Sequence, residues 1–126
     1  MIFNESHIKS KARLVIDVIN LVLTGKEEVD KIFLIGSYAS GKQDESSDID
    51  FLIQLKQSVE WYKPRHWYPT WKQIEEIHKR LDTNRIHVIF GSVVAAESLH
   101  QKHKYEKKNY AYREITQGEL YAPAHS

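Results

Sequence analysis

The stretch Ile35–Ile53, IGSYASGKQDESSDIDFLI, sets a Gly-Ser pair directly after one apolar run and opens the next apolar run with Asp48-Ile49-Asp50. Side chains alternate along a strand, so Asp48 and Asp50 point the same way. At ~4 Å and an effective dielectric near 20, two such carboxylates repel by roughly 4 kcal/mol. A fold keeps them together if a cation sits between them or if water covers them. Gly36 at a strand end permits positive φ and lets another group approach the backbone. Ser37 adds a hydroxyl and a backbone N–H just beyond it. If Tyr38 begins a helical turn, the N-terminus of that turn favours anions. Mg²⁺ takes one or two carboxylates together with substrate phosphates and water. The stretch therefore reads as a site for a metal-bound nucleoside triphosphate. Each half alone has a plainer reading: Gly-Ser as a turn, Asp-x-Asp as a solvated strand edge or cap.

Outward from this stretch, the elements alternate. Ile8, Ala12, Val15, Ile16, Ile19, Val22 and Leu23 recur at helical spacing, which predicts a helix from about Ser6 to Leu23 with Thr24-Gly25 as its stop. The run Ile32–Ile35 is apolar on both faces, as a doubly covered strand is. A second strand spans Asp48–Leu55, with Ile49, Phe51, Ile53 and Leu55 on one face. The segment 56–71, KQSVEWYKPRHWYPTW, has no period and reads as an irregular loop. Thr70 and Gln73 form a capping-box pattern for a helix to about Leu81, with Ile74, Ile77 and Leu81 inward. A third strand, Arg85–Phe90, follows, then Ser92 as an N-cap and a broken helical tail over 93–116, closed by Gly118–Tyr121. This order predicts an α/β (α+β) fold: a small mixed sheet flanked by helices.

The 126 residues predict a single domain, 1–126. A net charge of +1 gives no global field for nucleic acid, which argues against that partner. With no cysteine there is neither a disulfide framework nor a thiolate metal site. No apolar run approaches the ~20 residues of a membrane span, and MIFNESHIKSK lacks a signal-peptide core. A cytoplasmic protein is expected.

GSYASGKQDESSDID resembles the signature of the DNA polymerase β-like nucleotidyltransferase superfamily, and its Gly-Ser-x-Ala-x-Gly and Ser-Asp-Ile-Asp details resemble the minimal nucleotidyltransferase branch. The resemblance implies the nucleotidyltransferase fold and transfer of a nucleoside monophosphate, AMP from ATP or another NTP in its place, to a protein or small-molecule hydroxyl. By position, Gly36, Ser37 and Tyr38 would hold the triphosphate, and Asp48 and Asp50 would bind Mg²⁺ or Mn²⁺. Many members of that branch are antitoxins of a helical HEPN toxin, so a HEPN-type partner is implied. A domain of this size lacks room for its own acceptor site, which points to a partner or a homo-oligomer.

One position departs from the family pattern. The third carboxylate is expected within Ile86-His87-Val88-Ile89, and His87 stands in its place. A neutral imidazole can accept a proton or ligate a metal, but it carries no negative charge. Two readings stay open: an enzyme with Asp48, Asp50 and His87 as catalytic residues, and a catalytically impaired module that binds and masks a partner. Three weaker features remain. WYKPRHWYPTW (61–71) could stack a base, serve as an interface or fold onto the core. His100 and His103 are weak evidence for zinc, and QKHKYEKK (101–108) reads as a solvated face.

Overall fold

The computed structural model describes residues 2–23, 27–56, 58–60, 63–65, 69–91 and 112–121, with 58–60 and 63–65 described by backbone alone. Helix α1 (Glu5–Leu23) buries Ile8, Ala12, Val15, Ile16 and Ile19, the stripe its spacing predicts. Its start is set by Asn4. The Asn4 side chain accepts from the His7 backbone N–H at 2.9 Å, while His7 Nδ1 accepts from the Asn4 N–H at 3.2 Å. This is a capping box with His at the third position. Phe3 and Ile8 flank the cap and are both buried in the main core, as in a hydrophobic staple. The Thr24-Gly25 stop lies outside the described residues.

Strand β1 (Val29–Ile35) runs into the short helix α2 (Gly36–Ser40), and β2 (Ile49–Leu55) returns antiparallel to β1. Helix α3 (Trp71–Leu81) begins with the expected capping box: Gln73 N–H donates to Thr70 Oγ1 at 3.2 Å and Thr70 N–H to Gln73 Oε1 at 2.8 Å. Ile77 and Leu81 are fully buried, whereas Ile74 is only half-buried. A 3₁₀ turn (Asp82–Asn84) leads into β5 (Ile86–Phe90), which pairs parallel with β2.

Two segments differ from the sequence reading. Ser58–Glu60 (β3) and Lys63–Arg65 (β4) pair antiparallel where an irregular excursion is expected. Pro64 is tolerated because the sheet has only two strands, so each has an open edge. The tail is the second difference. Tyr112–Ile115 is a strand, β6, antiparallel to β1, not part of a helix. Four residues are too few for periodicity to separate strand from helix, and pairing of Ile115 with Ile32 decides the matter. The Ser92 cap and the helix over 93–111 lie outside the described residues. A last short helix, α4 (Gln117–Tyr121), is capped by Thr116 and Glu119, whose side chains bond to each other's backbone N–H at 3.2 and 2.8 Å.

The result is an α+β fold: a four-stranded mixed sheet in the order β5-β2-β1-β6, flanked by helices. One face carries Ile32, Leu34, Ile49, Phe51, Ile53, Val88 and Ile115 into a core shared with α1 and α3. The opposite face holds a smaller cluster of Phe33, Ile35 and Leu52 with Tyr112 against it. The Asp-x-Asp pair opens onto this second face, at the end where β1 gives way to α2.

Candidate functional site

Gly36 is the pivot. It adopts φ +70°, and a Cβ built on it would overlap Asp50 Oδ2. Both facts exclude other residues: L-residues are strained at this φ, and the carboxylate already fills the side-chain space. The β1–β2 register explains the contact, since Ile35 pairs with Asp50 and Gly36 follows directly. Ser37 stands on the first turn of α2, and its carbonyl accepts from Gly41 and Lys42 N–H, which closes the turn.

Tyr38 goes elsewhere. Its ring is 7% exposed and packs in the main core beside Phe3. Its hydroxyl accepts the Phe3 backbone N–H at 3.0 Å.

Asp50 Oδ1 lies 3.4 Å from His87 Nδ1, and strand register makes the two residues neighbours. Burial pushes the Asp50 carboxyl above its ordinary range, His87 opposes that rise, and the Asp48 charge adds to it. Asp48 is more exposed and sits 3.6 Å from the Arg85 Nε. Gly36, Asp48, Asp50 and His87 therefore come together at one end of the sheet.

Arg85 is a member of this group that the strand pattern conceals. It precedes β5 instead of opening it, in the left-handed region at φ 55°. Its Nη2 donates to the Ser47 carbonyl at 2.6 Å, and its own carbonyl accepts the Ile49 N–H at 2.9 Å. The Phe3 ring carries the Arg85 guanidinium at 5.1 Å and the Lys11 ammonium at 4.5 Å. Burial, then the Arg85 charge, lowers the Lys11 pKa. The turn before Asp48 is braced from its other side: Asp44 Oδ1 accepts from Ser46 N–H at 2.8 Å and Ser46 Oγ at 2.7 Å. Those bonds, led by the Ser46 hydroxyl, hold the exposed Asp44 carboxyl low.

His78, near the end of α3, lies 5.8 Å from His87 ring to ring. Its Nδ1 is 3.0 Å from the Ile74 carbonyl, which can only accept, so Nδ1 carries the proton. The buried Nε2 has no hydrogen-bond partner among the described residues. Nothing in the spacing of a helix residue and a strand residue announces this approach.

Asp48 and Asp50 are hard oxygen donors with part of their surface in solvent, a set that fits one Mg²⁺ whose other ligands are water and phosphate. Among the described residues no three His, Cys, Asp or Glu side chains surround a common metal position. His100 and His103 lie outside the described residues. A cleft of about 270 Å³ lined by Ile16, Asp17, Asn20, Val29 and Tyr121 shares no residue with the candidate site. No described helix is long and apolar enough to cross a membrane.

Residues 17–102 match the family described as "Polymerase beta, Nucleotidyltransferase". The "Putative protein adenylyltransferase MJ0141" of Methanocaldococcus jannaschii is 50% identical over 32 residues, 25% of this chain and 32% of that protein. The match thus spans about a third of that relative's length. A solved structure described as "Crystal structure of the toxin-antitoxin with AMP-PNP" is similar at TM-score 0.38 and 18% identity, over 82% of this chain and 76% of that one. That likeness is too distant for any conclusion to rest on it.

Proposed function

The chain belongs to the polymerase beta nucleotidyltransferase family, and from that premise we propose that it moves a nucleoside monophosphate, AMP from ATP, to an acceptor hydroxyl with the help of Mg²⁺. The observation that carries this reading is the packing of the Asp50 carboxylate into the absent side chain of Gly36. It ties the Gly-Ser turn to the acidic pair across the β1–β2 register.

In the proposed reaction the acceptor oxygen attacks the α-phosphorus. A new P–O bond forms, the bond to the β-phosphate oxygen breaks, and pyrophosphate leaves. Mg²⁺ would neutralise phosphate charge as it shifts to the leaving group. Asp48 and Asp50 would hold the cation; Ser37 and the adjacent backbone amides would hold the phosphate tail. His87 turns Nδ1 to Asp50, so Nε2, on the far side of a ring whose side chain is 57% exposed, is available to take the acceptor's proton. The rest of the rate would come from placement and preorganised charge.

The adenylyl choice is favoured by the name of the matched archaeal protein. The 126 residues are read as one cytoplasmic domain whose acceptor is supplied by a partner, a HEPN-type toxin in a toxin–antitoxin pair, or by a second copy. One observation favours a second reading: an imidazole stands where the family resemblance calls for a third carboxylate. On that reading the chain binds nucleotide and masks its partner without transferring anything. Incubation with ATP labelled at the α-phosphate, Mg²⁺ and candidate acceptors separates the two. Label on an acceptor, lost in Asp48→Asn and Asp50→Asn, supports transfer; partner co-purification without label supports masking.

A further inference from the structure

We propose that the cleft between α1, the start of β1 and α4 is a docking site for an arginine side chain of a partner protein. The cleft has a volume of about 270 Å³. Its lining combines the buried apolar Ile16 and Val29, the carboxylates of Asp17 and Glu27, and the Tyr121 phenol. Both acids bear on that phenol. Burial first, then the Asp17 charge, raises the Tyr121 pKa; Arg13 opposes the rise and Glu27 adds to it. The walls are held in place by bonds within the chain. Asn20 Oδ1 accepts the Glu28 N–H at 2.9 Å, which ties α1 to the segment entering β1. Arg13 Nη1 donates to the Leu120 carbonyl at 3.1 Å, which ties α1 to α4. A side chain entering here meets a preorganised cleft.

The occupant follows from charge and shape. Two carboxylates beside an apolar wall suit a cation carried on an apolar stem. Arg13 stands one turn before Asp17, but its terminal nitrogens donate to the Leu120 carbonyl and to Ser10 Oγ. Glu27 is paired with Lys56 at 3.6 Å, between two well-exposed side chains, and a pair of that kind is readily replaced. A guanidinium stacks on an aromatic ring and spreads five N–H donors over more than one carboxylate, which an ammonium does not. The volume lies below the ~300–1,000 Å³ of small-molecule sites and suits one side chain. The surface beside the cleft points to a protein. Leu21, one turn beyond Asp17 on α1, is 62% exposed and Tyr121 is 52% exposed. A small cation would leave Leu21 in water, whereas a segment with an apolar residue next to its arginine covers it. The cleft meets β1 at Val29, about 20 Å along the strand from Gly36, so docking here leaves the candidate site open.

Titrating the end-capped tripeptide Leu-Arg-Leu into the isotope-labelled full chain, followed by amide chemical shifts, tests this. Shifts are expected at Asp17, Leu21 and Tyr121, and replacing arginine by the neutral isostere citrulline should weaken binding about tenfold. Asp17→Asn should weaken it about fivefold. Absence of shifts at those amides overturns the proposal, as does a citrulline or lysine peptide that binds as tightly as the arginine one. End-capped arginine alone binding as tightly as the tripeptide would make this a small-cation site and overturns the partner assignment. If Asp17→Asn does not fold by circular dichroism, Glu27→Gln decides in its place. The inference stands apart from the nucleotidyltransferase reading: the tripeptide should bind equally with and without a non-hydrolysable ATP analogue. Displacement of the peptide by the analogue would put it at the Gly36 end and also overturns the proposal.

Discussion

Asp50 places its carboxylate in the space that any side chain at position 36 would need, and Gly36 holds a φ of +70° to leave that space open. One glycine thus serves two ends, the turn out of β1 and the seating of an acid on β2. Alanine there faces both obstacles at once. Gly36→Ala should cost about 1–3 kcal/mol of stability from backbone strain alone, and it should also drive Asp50 out of place. Gly41 is the control: its φ is +77° but nothing lies within 4 Å of a Cβ there. Gly41→Ala should lower the melting temperature and leave nucleotide affinity intact, whereas Gly36→Ala should lose both. Thermal denaturation and calorimetric titration with the ATP analogue read the two effects.

Asp50→Asn should stabilise the protein at neutral pH while removing metal-dependent nucleotide binding. The sign follows from burial, which raises the Asp50 pKa above its unfolded value. A raised pKa means that Asp50 contributes most favourably below the unfolded carboxylate range of about 4 and loses that contribution as pH rises through the folded value. The amide has no such loss. Urea denaturation of the two forms should diverge above that window and converge below it; a variant less stable than the parent at pH 7 would contradict the assignment.

Glu119 behaves in the opposite way. The Thr116 backbone bond, its largest cause, with the Thr116 hydroxyl, Lys9 and Arg113, depresses its pKa. Its stabilising contribution is present above the ordinary glutamate value of about 4.3 and is lost as pH falls through the lower folded value. Glu119→Gln should be the less stable form at neutral pH, with the difference closing on acidification. Paired melting curves between pH 3 and pH 7 on the parent and variant would show it.

Tyr38→Phe should act on stability. It removes the acceptor of the buried Phe3 N–H and leaves that donor unsatisfied, which costs about 1–3 kcal/mol. Nucleotide affinity of the folded fraction should follow the parent, because the ring lies in the core. A selective loss of affinity at unchanged stability would place the hydroxyl at the phosphate site after all.

Much of this arrangement is legible in the chain. The alternation after Asp48 and the break at Gly36 fix the two strands and the turn between them, because period-two patterning and glycine act locally. The Thr70–Gln73 box is legible for the same reason. Arg85 is not, because a left-handed arginine has no sequence mark and its partners Ser47 and Asp48 lie nearly forty residues away. β6 is concealed by its brevity, and the Thr116–Glu119 cap by standing beside a helix of five residues. The pairing of β3 with β4 is obscured by Pro64, a residue that usually argues against a strand.

The parallel register of β2 and β5 has one more consequence. Slipping β5 by a single position would set Ile86 or Val88 beside Asp50 and drive His87 toward the oily interior. Val88 is nearly fully enclosed where it stands, so the slip would be resisted by the packing of its side chain. The interior of this protein therefore acts as a proofreader: by insisting on where its valine lies, it dictates which chemical group meets the acid.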